Sequence, residues 1–358
     1  MGNACCSDKS DKNSQIISGG DISSRGISNH KAKRNGFKSL NSERSETGRD
    51  RDQVRVMNAS NNNNAISQKA GLPRKVEKML APNQVVLRKL NSMKTFDKKL
   101  AEYKGAEAQV FSEEVGPYKF HFSQATYKGQ MLNYNRHGRG FQVWPNGSVY
   151  KGFWYNNKSS GLGIHVYSGG DYYKGEWKNG TSNGYGEYHK EKEGILYKGD
   201  WVEGNQHGKG YETYPDGSHY EGEYVDGVKE GYGKFSWSDG SSYVGQFSKN
   251  NIHGKGNYVW ADGRKFSGMW KDNKMHGKGE FTWPDGRKYI GEYKDDLKHG
   301  KGMFMWSDGR VFDGDWVDGK QNGRGVFVDE DGVQRTGMWE DGTWVKWVGE
   351  EKADESGS

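Results

Sequence analysis

Three groups of residues in this sequence have types and spacings that could carry chemistry. The first is the opening run Met-Gly-Asn-Ala-Cys-Cys-Ser. Removal of Met1 would expose Gly2 as an acceptor for an N-myristoyl chain, although Cys6 stands where the pattern wants Ser or Thr, and Ser7 falls one place late. One myristoyl chain holds a bilayer only marginally, so stable anchoring needs a second signal, and S-palmitoylation of Cys5 and Cys6 would supply it. The second group is His137, His207, His253, His276 and His299, each directly before a Gly-x-Gly triplet. The third is the set of lysines inside those triplets, Lys209, Lys255, Lys278 and Lys301, which invites comparison with phosphate-binding loops.

The last two groups fail on geometry. Equivalent positions in successive two-stranded units lie about 9–10 Å apart. A shared metal needs each histidine nitrogen within about 2 Å of the ion, so these histidines read as residues stacked beside the strands. None of the triplets fits Gly-x-x-x-x-Gly-Lys-Ser/Thr or sits where a strand enters a helix. Asp329-Glu330-Asp331-Gly332 lacks the ligand spacing of a calcium loop and reads as a turn. No catalytic residue, metal site, cofactor or small-molecule substrate is therefore expected, and the chain reads as not an enzyme.

The elements that would position such residues follow from composition. Only 32% of the 358 residues are hydrophobic, 54 are glycine, and Trp, Tyr and Phe make up 13%. Aromatics and glycines recurring together point to thin stacked layers, not to a globule with a branched aliphatic core. Cys5 and Cys6 are the only cysteines, and adjacent residues cannot close a long-range disulfide. No stretch approaches the roughly 20 apolar residues that span a bilayer, and no apolar run resembles a signal peptide. Residues 1–100 hold 20 Lys and Arg against 9 Asp and Glu, which leaves 33 against 38 in the rest. A basic front on a mildly acidic body suits an anionic partner for the front alone.

The glycine after Tyr-x, or after Phe-x at 268 and 314 and Arg-x at 337, recurs at 129, 152, 175, 199, 222, 245, 268, 291, 314 and 337, always 23 residues on except for one step of 24. The clearest unit runs Tyr289-Ile-Gly-Glu-Tyr293, a polar loop, then His299-Gly-Lys-Gly-Met-Phe-Met-Trp306 and Ser-Asp-Gly309. Alternation predicts two strands with Tyr289, Gly291 and Tyr293 on one face, and with Gly277, Gly279, Phe281 and Trp283 likewise. An aromatic ring lying over a neighbouring glycine explains why the two types alternate. Trp283-Pro-Asp-Gly286 and its relatives predict type I turns closed by a left-handed glycine. Spacing of Tyr-x-Gly-x-Trp, Gly-x-Gly and Asp-Gly over about 210 residues closely resembles MORN repeats (membrane occupation and recognition nexus). That resemblance implies an all-β fold: an elongated single-sheet solenoid of tandem 23-residue hairpins.

The expected organisation is then as follows. Residues 1–71 form a disordered, acylated basic tether whose densest cluster is Lys31, Lys33, Arg34 and Lys38. Each such charge is worth about 1 kcal/mol near an anionic leaflet. Residues 72–102 form an amphipathic helical linker or cap. Val86, Leu90, Met93, Leu100 and Tyr103 recur at helical spacing, with Phe96 beside them and Pro82 blocking extension backwards. A degenerate repeat at 103–126 is read from Tyr103-Lys-Gly105 and Gly116-x-Tyr118-x-Phe120. The solenoid of nine full repeats and a truncated tenth fills 127–345, and a disordered tail ends the chain at 346–358.

The expected function is a non-catalytic scaffold anchored at the cytoplasmic face of a membrane, plasma or cortical, presenting the repeats to protein partners. Trp154, Trp177, Trp201, Trp270 and Trp316 line the aromatic face as candidates for that contact. The alternatives are phospholipid binding by the repeats themselves and a cytoskeletal or axonemal structural role without membrane attachment. Nucleic acid is not an expected partner, since basic residues come without a recognition fold. A homodimer is compatible with open sheet edges and with Trp339, Trp344 and Trp347 near one end.

Overall fold

The computed structural model describes residues 84–105 and 113–349. Gly2, Cys5, Cys6 and the cluster Lys31, Lys33, Arg34 and Lys38 lie outside the described residues, as does the chain beyond 349. The twenty-one described strands all run antiparallel in tandem hairpins. The described chain divides into two compact units, before and after Asp216. The first holds helices α1 (Gln84–Asn91) and α2 (Lys94–Glu102) and nine strands, from β1 (Glu113–Lys119) to β9 (Asn205–Thr213). The second holds twelve strands, from β10 (His219–Val225) to β21 (Thr343–Trp347).

One hairpin of the second unit shows why the sequence folds this way. Strands β16 (Lys288–Lys294) and β17 (Leu297–Met305) meet at the two-residue loop Asp295-Asp296, with φ of 50° and 73°. Two left-handed residues make the mirror-image turn whose twist matches a hairpin, and Asp and Asn tolerate that region best after glycine. Asn156-Asn157 and Asp272-Asn273 do the same in other hairpins. Between hairpins, Trp283-Pro-Asp-Gly286 closes with Gly286 N–H donating to the Trp283 carbonyl at 3.1 Å and Gly286 at φ +95°.

Registry breaks once in each hairpin from β2–β3 to β18–β19, just past the paired glycines. Between Gly268↔Gly279 and Trp270↔Met275, the single residue Met269 faces the three residues His276, Gly277 and Lys278. Gly277 takes φ +76°, so a Cβ there would point at Met269 and not towards the aromatic face. The first glycine of each Gly-x-Gly is therefore a left-handed bulge, not one more gap in the aromatic face. Met275 takes the place opposite Trp270 that simple alternation assigns elsewhere.

The second glycine of the triplet behaves as alternation predicts. A Cβ on Gly302 would lie 2.2 Å from the Tyr289 hydroxyl oxygen, and one on Gly291 only 2.6 Å from the Gly302 Cα. The Tyr289 ring therefore lies flat over both glycines, its hydroxyl donating to the Glu292 carbonyl at 3.0 Å. Tyr127, Tyr150, Tyr173, Tyr197, Tyr220 and Tyr243 make the same bond to the carbonyl three residues on, at 2.7–3.1 Å. That carbonyl lies at the bulge, and the hydroxyl gives it a hydrogen-bond donor from the inner face. The residue carrying it also uses its side chain: Glu223 and Gln246 accept the N–H of Tyr232 and Lys255 at 3.0 and 2.8 Å.

The helices are two where the sequence suggested one. The chain breaks at Ser92–Met93, with Met93 at φ −106° and ψ 36°, and Ser92 Oγ donating to the Lys89 carbonyl at 2.7 Å. Val86, Met93, Phe96 and Leu100 pack on Val143, Val149, Phe153, Ile164, Val166 and Tyr172. These strand residues lie on the face opposite the aromatic rings, called the outer face below. Tyr103 opens no strand; its ring sits 4.7 Å from that of Phe153 at the end of α2.

Candidate binding surfaces

The five tryptophans expected to meet a partner are packed into the inner face of the sheet. Trp154, Trp177, Trp201, Trp270 and Trp316 expose 3%, 6%, 1%, 2% and 5% of their surface. Each ring stands edge-on between two tyrosines or phenylalanines. Trp177 lies 5.1 Å from Tyr173 of its own strand and 5.3 Å from Tyr150 of the hairpin before. Trp316 meets Phe312 and Tyr289 at 5.5 and 5.3 Å in the same way. Edge-to-face pairs of this kind add about 0.5–1.5 kcal/mol beyond burial. Four of the five indole N–H groups are taken up as well, Trp177 donating to the Gly163 carbonyl at 3.1 Å and Trp316 to that of Gly302 at 2.8 Å, whereas that of Trp154 is buried without a hydrogen-bond partner. These side chains join one hairpin to the next.

A second aromatic row, which the sequence reading did not single out, lies at the turns between hairpins. In the second unit Phe235, Trp237, Tyr258, Trp260, Phe281 and Trp283 follow one another at centroid distances of 4.4–5.1 Å. Its tryptophans are half-buried. Arg264, Arg287 and Arg310 lie over Trp260, Trp283 and Trp306 at 5.4–5.5 Å and are each bound to the turn aspartate two residues before. The signal for this row is the Trp-x-Asp-Gly-Arg spacing, legible beside the turn motif. His165 fills a phenylalanine position of the inner face, and burial lowers its pKa to about 3, so it stays neutral.

The histidine series lies at the bulges. His253, His276 and His299 each point Nδ1 at the turn aspartate of the following hairpin, Asp272, Asp295 and Asp318, at 3.6–3.7 Å. His137 is buried against Tyr155, with ring centroids 4.9 Å apart. Among the described residues no group of three or more His, Cys, Asp and Glu is placed to hold a metal. Lys209, Lys255, Lys278 and Lys301 sit between the two glycines and are exposed on the outer face.

The outer face is where the units vary. Between the two glycines stand Arg139, Leu162, Tyr185, Lys209, Tyr232, Lys255, Lys278, Lys301 and Arg324 in turn. Tyr185 and Tyr232 are 59% and 55% exposed. In the first unit Glu187 gathers Tyr172, Lys174 and Lys198 at this face. Burial alone would raise its pKa, but the Tyr172 hydroxyl and the two ammonium groups hold it below the ordinary value. At the far end of the second unit Trp339 is buried against Phe312 at 4.8 Å, while Trp344 of β21 remains 39% exposed.

The MORN repeat family model matches nine segments, 127–149, 150–172, 173–192, 197–219, 220–242, 243–263, 266–286, 289–309 and 312–334. The chain belongs to the MORN repeat family. Each matched MORN segment holds the ring-over-glycine hairpin described above, and four of the eight junctions between segments are continuous. A comparison with curated proteins finds no match. Among solved structures, the TCP10 domain of Danio rerio CPAP in complex with a STIL peptide is 14% identical, with a TM-score of 0.38. The match covers 63% of this MORN protein and 98% of that chain. The SAS-4 (dCPAP) TCP domain of Drosophila melanogaster with a proline-rich motif of Ana2 is 16% identical, at a TM-score of 0.29, covering 54% and 96%. No helix among the described residues is long and apolar enough to cross a membrane.

Proposed function

We propose that this MORN-repeat chain is a non-catalytic scaffold held at the cytoplasmic face of a membrane. Acyl chains on Gly2, Cys5 and Cys6 anchor it, and Lys31, Lys33, Arg34 and Lys38 hold the tether close to anionic lipid. The outer face of the repeats presents changing side chains to protein partners. One observation carries this reading. The inner face repeats the same contacts of aromatic rings and glycines hairpin after hairpin, while the outer register between the glycines runs through Arg139, Leu162, Tyr185, Lys209 and Tyr232 before settling on lysine or arginine. A surface that is free to vary on a framework that is not is suited to recognition. Substituting Gly2→Ala should move the protein from the membrane to the soluble fraction. Retention on membranes would remove the anchor from the proposal.

A second reading, lipid binding by the repeats, has one observation in its favour. Lys255, Lys278, Lys301 and Arg324 recur at one outer register of the second unit. Asp315 holds Lys301 at 2.6 Å and Glu292 stands in the same row, which cuts the positive potential. The chain carrying Gly2→Ala, Cys5→Ser and Cys6→Ser should not float with vesicles rich in anionic lipid. Flotation would favour this second reading.

A further inference from the structure

The outer face carries one apolar cluster twice. In the first unit, Phe141, Val143, Val149, Ile164 and Val166 lie beneath α1 and α2, with Val149 and Val166 fully buried. In the second unit, Met303, Met305, Val311, Val326 and Val328 stand at the corresponding positions of β17, β18 (Val311–Val317) and β19 (Lys320–Val328). Met305 pairs with Val311 and Val311 with Val328, as Val143 pairs with Val149 and Val149 with Val166. Ile290 extends the second cluster beside Met303 and is 42% exposed. The five are only half-buried, and the described residues of the second unit include no helix. Hairpins just before place Asn257, Lys265, Glu280 and Thr282 at four of the five positions, so the cluster is not a by-product of the repeat.

The charge at the centre of the two clusters is opposite. In the first, Lys151 reaches Asp97 of α2 at 2.6 Å. Its counterpart in the second is Asp313, exposed, with no side-chain partner among the described residues. Asp315 beside it is already bound to Lys301.

We propose that the outer face of β17–β19 is a seat for an amphipathic helix of a partner protein. The helix sets an apolar stripe on Met303, Met305, Val311, Val326 and Val328, and a Lys or Arg where α2 carries Asp97, so that its cation meets Asp313. A second copy's α2 does not fit, because Asp97 would face Asp313 as like charges do. An anionic lipid surface is turned away by the same carboxylate. This inference is independent of the acyl anchor.

The test uses the full-length chain and two labelled synthetic peptides covering residues 84–105, one unaltered and one with Asp97→Lys. Both carry side chains that suit this register, and fluorescence anisotropy reads their binding. The Asp97→Lys peptide should bind, weaken about tenfold or more on a chain with Asp313→Lys, and be lost with Val326→Glu. The unaltered peptide should prefer the Asp313→Lys chain. Asp313 is exposed, and circular dichroism will show that its variant keeps the fold. The proposal is overturned if the Asp97→Lys peptide does not bind, or if it binds with no regard to Asp313→Lys and Val326→Glu.

Discussion

Asp296 offers a stability test that can be worked from the structure alone. It is the second residue of the β16–β17 turn, only 2% exposed, and its Oδ1 accepts the Met275 N–H at 2.7 Å. Asn157, Asn250 and Asn273 make the same bond from the same position, to Arg136, Lys229 and Ile252 at 2.7–2.9 Å. Only here is the side chain a carboxylate at a buried site, and burial raises its pKa to about 6; the Met275 N–H and Lys274 oppose the rise, and Asp295 adds to it. Between pH 3.8 and about 6 the folded chain therefore holds a proton that the unfolded chain has released. The favourable contribution is present in full below the unfolded value and is lost as pH rises through about 6. A shift of about two pKa units corresponds to about 3 kcal/mol, and solvent screening at a turn cuts this to about 1–2 kcal/mol. Asp296→Asn keeps the acceptor and removes the charge. It should stabilise the protein by about 1–2 kcal/mol at pH 7–8, or about 3–6 °C in melting temperature. The gain should close as pH falls to 4. Thermal melts of both proteins from pH 4 to pH 8 read it. A variant no more stable than the parent at pH 7, or a gain that ignores pH, would refute the reasoning.

Two further outcomes follow from the ring-over-glycine contact. Gly302→Ala drives a methyl group into the Tyr289 ring and should cost about 1–3 kcal/mol by urea unfolding; adding Tyr289→Ala in the same chain should recover part of that loss. Phe266 and Phe312 occupy the tyrosine position without a hydroxyl, so Phe266→Tyr should gain about 1 kcal/mol by bonding the Met269 carbonyl, seen as a higher denaturant midpoint.

Much of this molecule is written in its residue spacing. The 23-residue period, the two strands per unit, the rings over Gly291 and Gly302 and the turn at Gly286 all follow from alternation and turn chemistry. The bulge did not, because alternation counts Gly277 as one more inner position, and only its left-handed backbone reveals the extra residues. The inner tryptophans posed a different difficulty. An aromatic side chain on a sheet face reads the same whether a partner or the next hairpin covers it, and here Tyr150 and Tyr289 are what cover Trp177 and Trp316. Helical spacing over Val86 to Tyr103 located the apolar stripe but not the break at Ser92, which depends on fitting two short helices to the sheet beneath. The outer-face cluster at Met303 and Val328 goes unseen until strands are paired, since its members lie on three strands and are separated by charged residues.

The edge-on contact between each inner tryptophan and the tyrosine of the hairpin before it also governs how the molecule meets force. Within the second unit, every such contact reaches one neighbour and no farther, as Trp270 reaches Tyr243 and Trp316 reaches Tyr289. Tension drawn from the β21 end would therefore peel hairpins in sequence instead of shearing a whole core. Each peeled unit of 23 residues would pay out about 70–80 Å of chain. A protein built so yields in small steps and re-forms from whichever hairpins remain, behaving as an extensible link and not as a brittle strut.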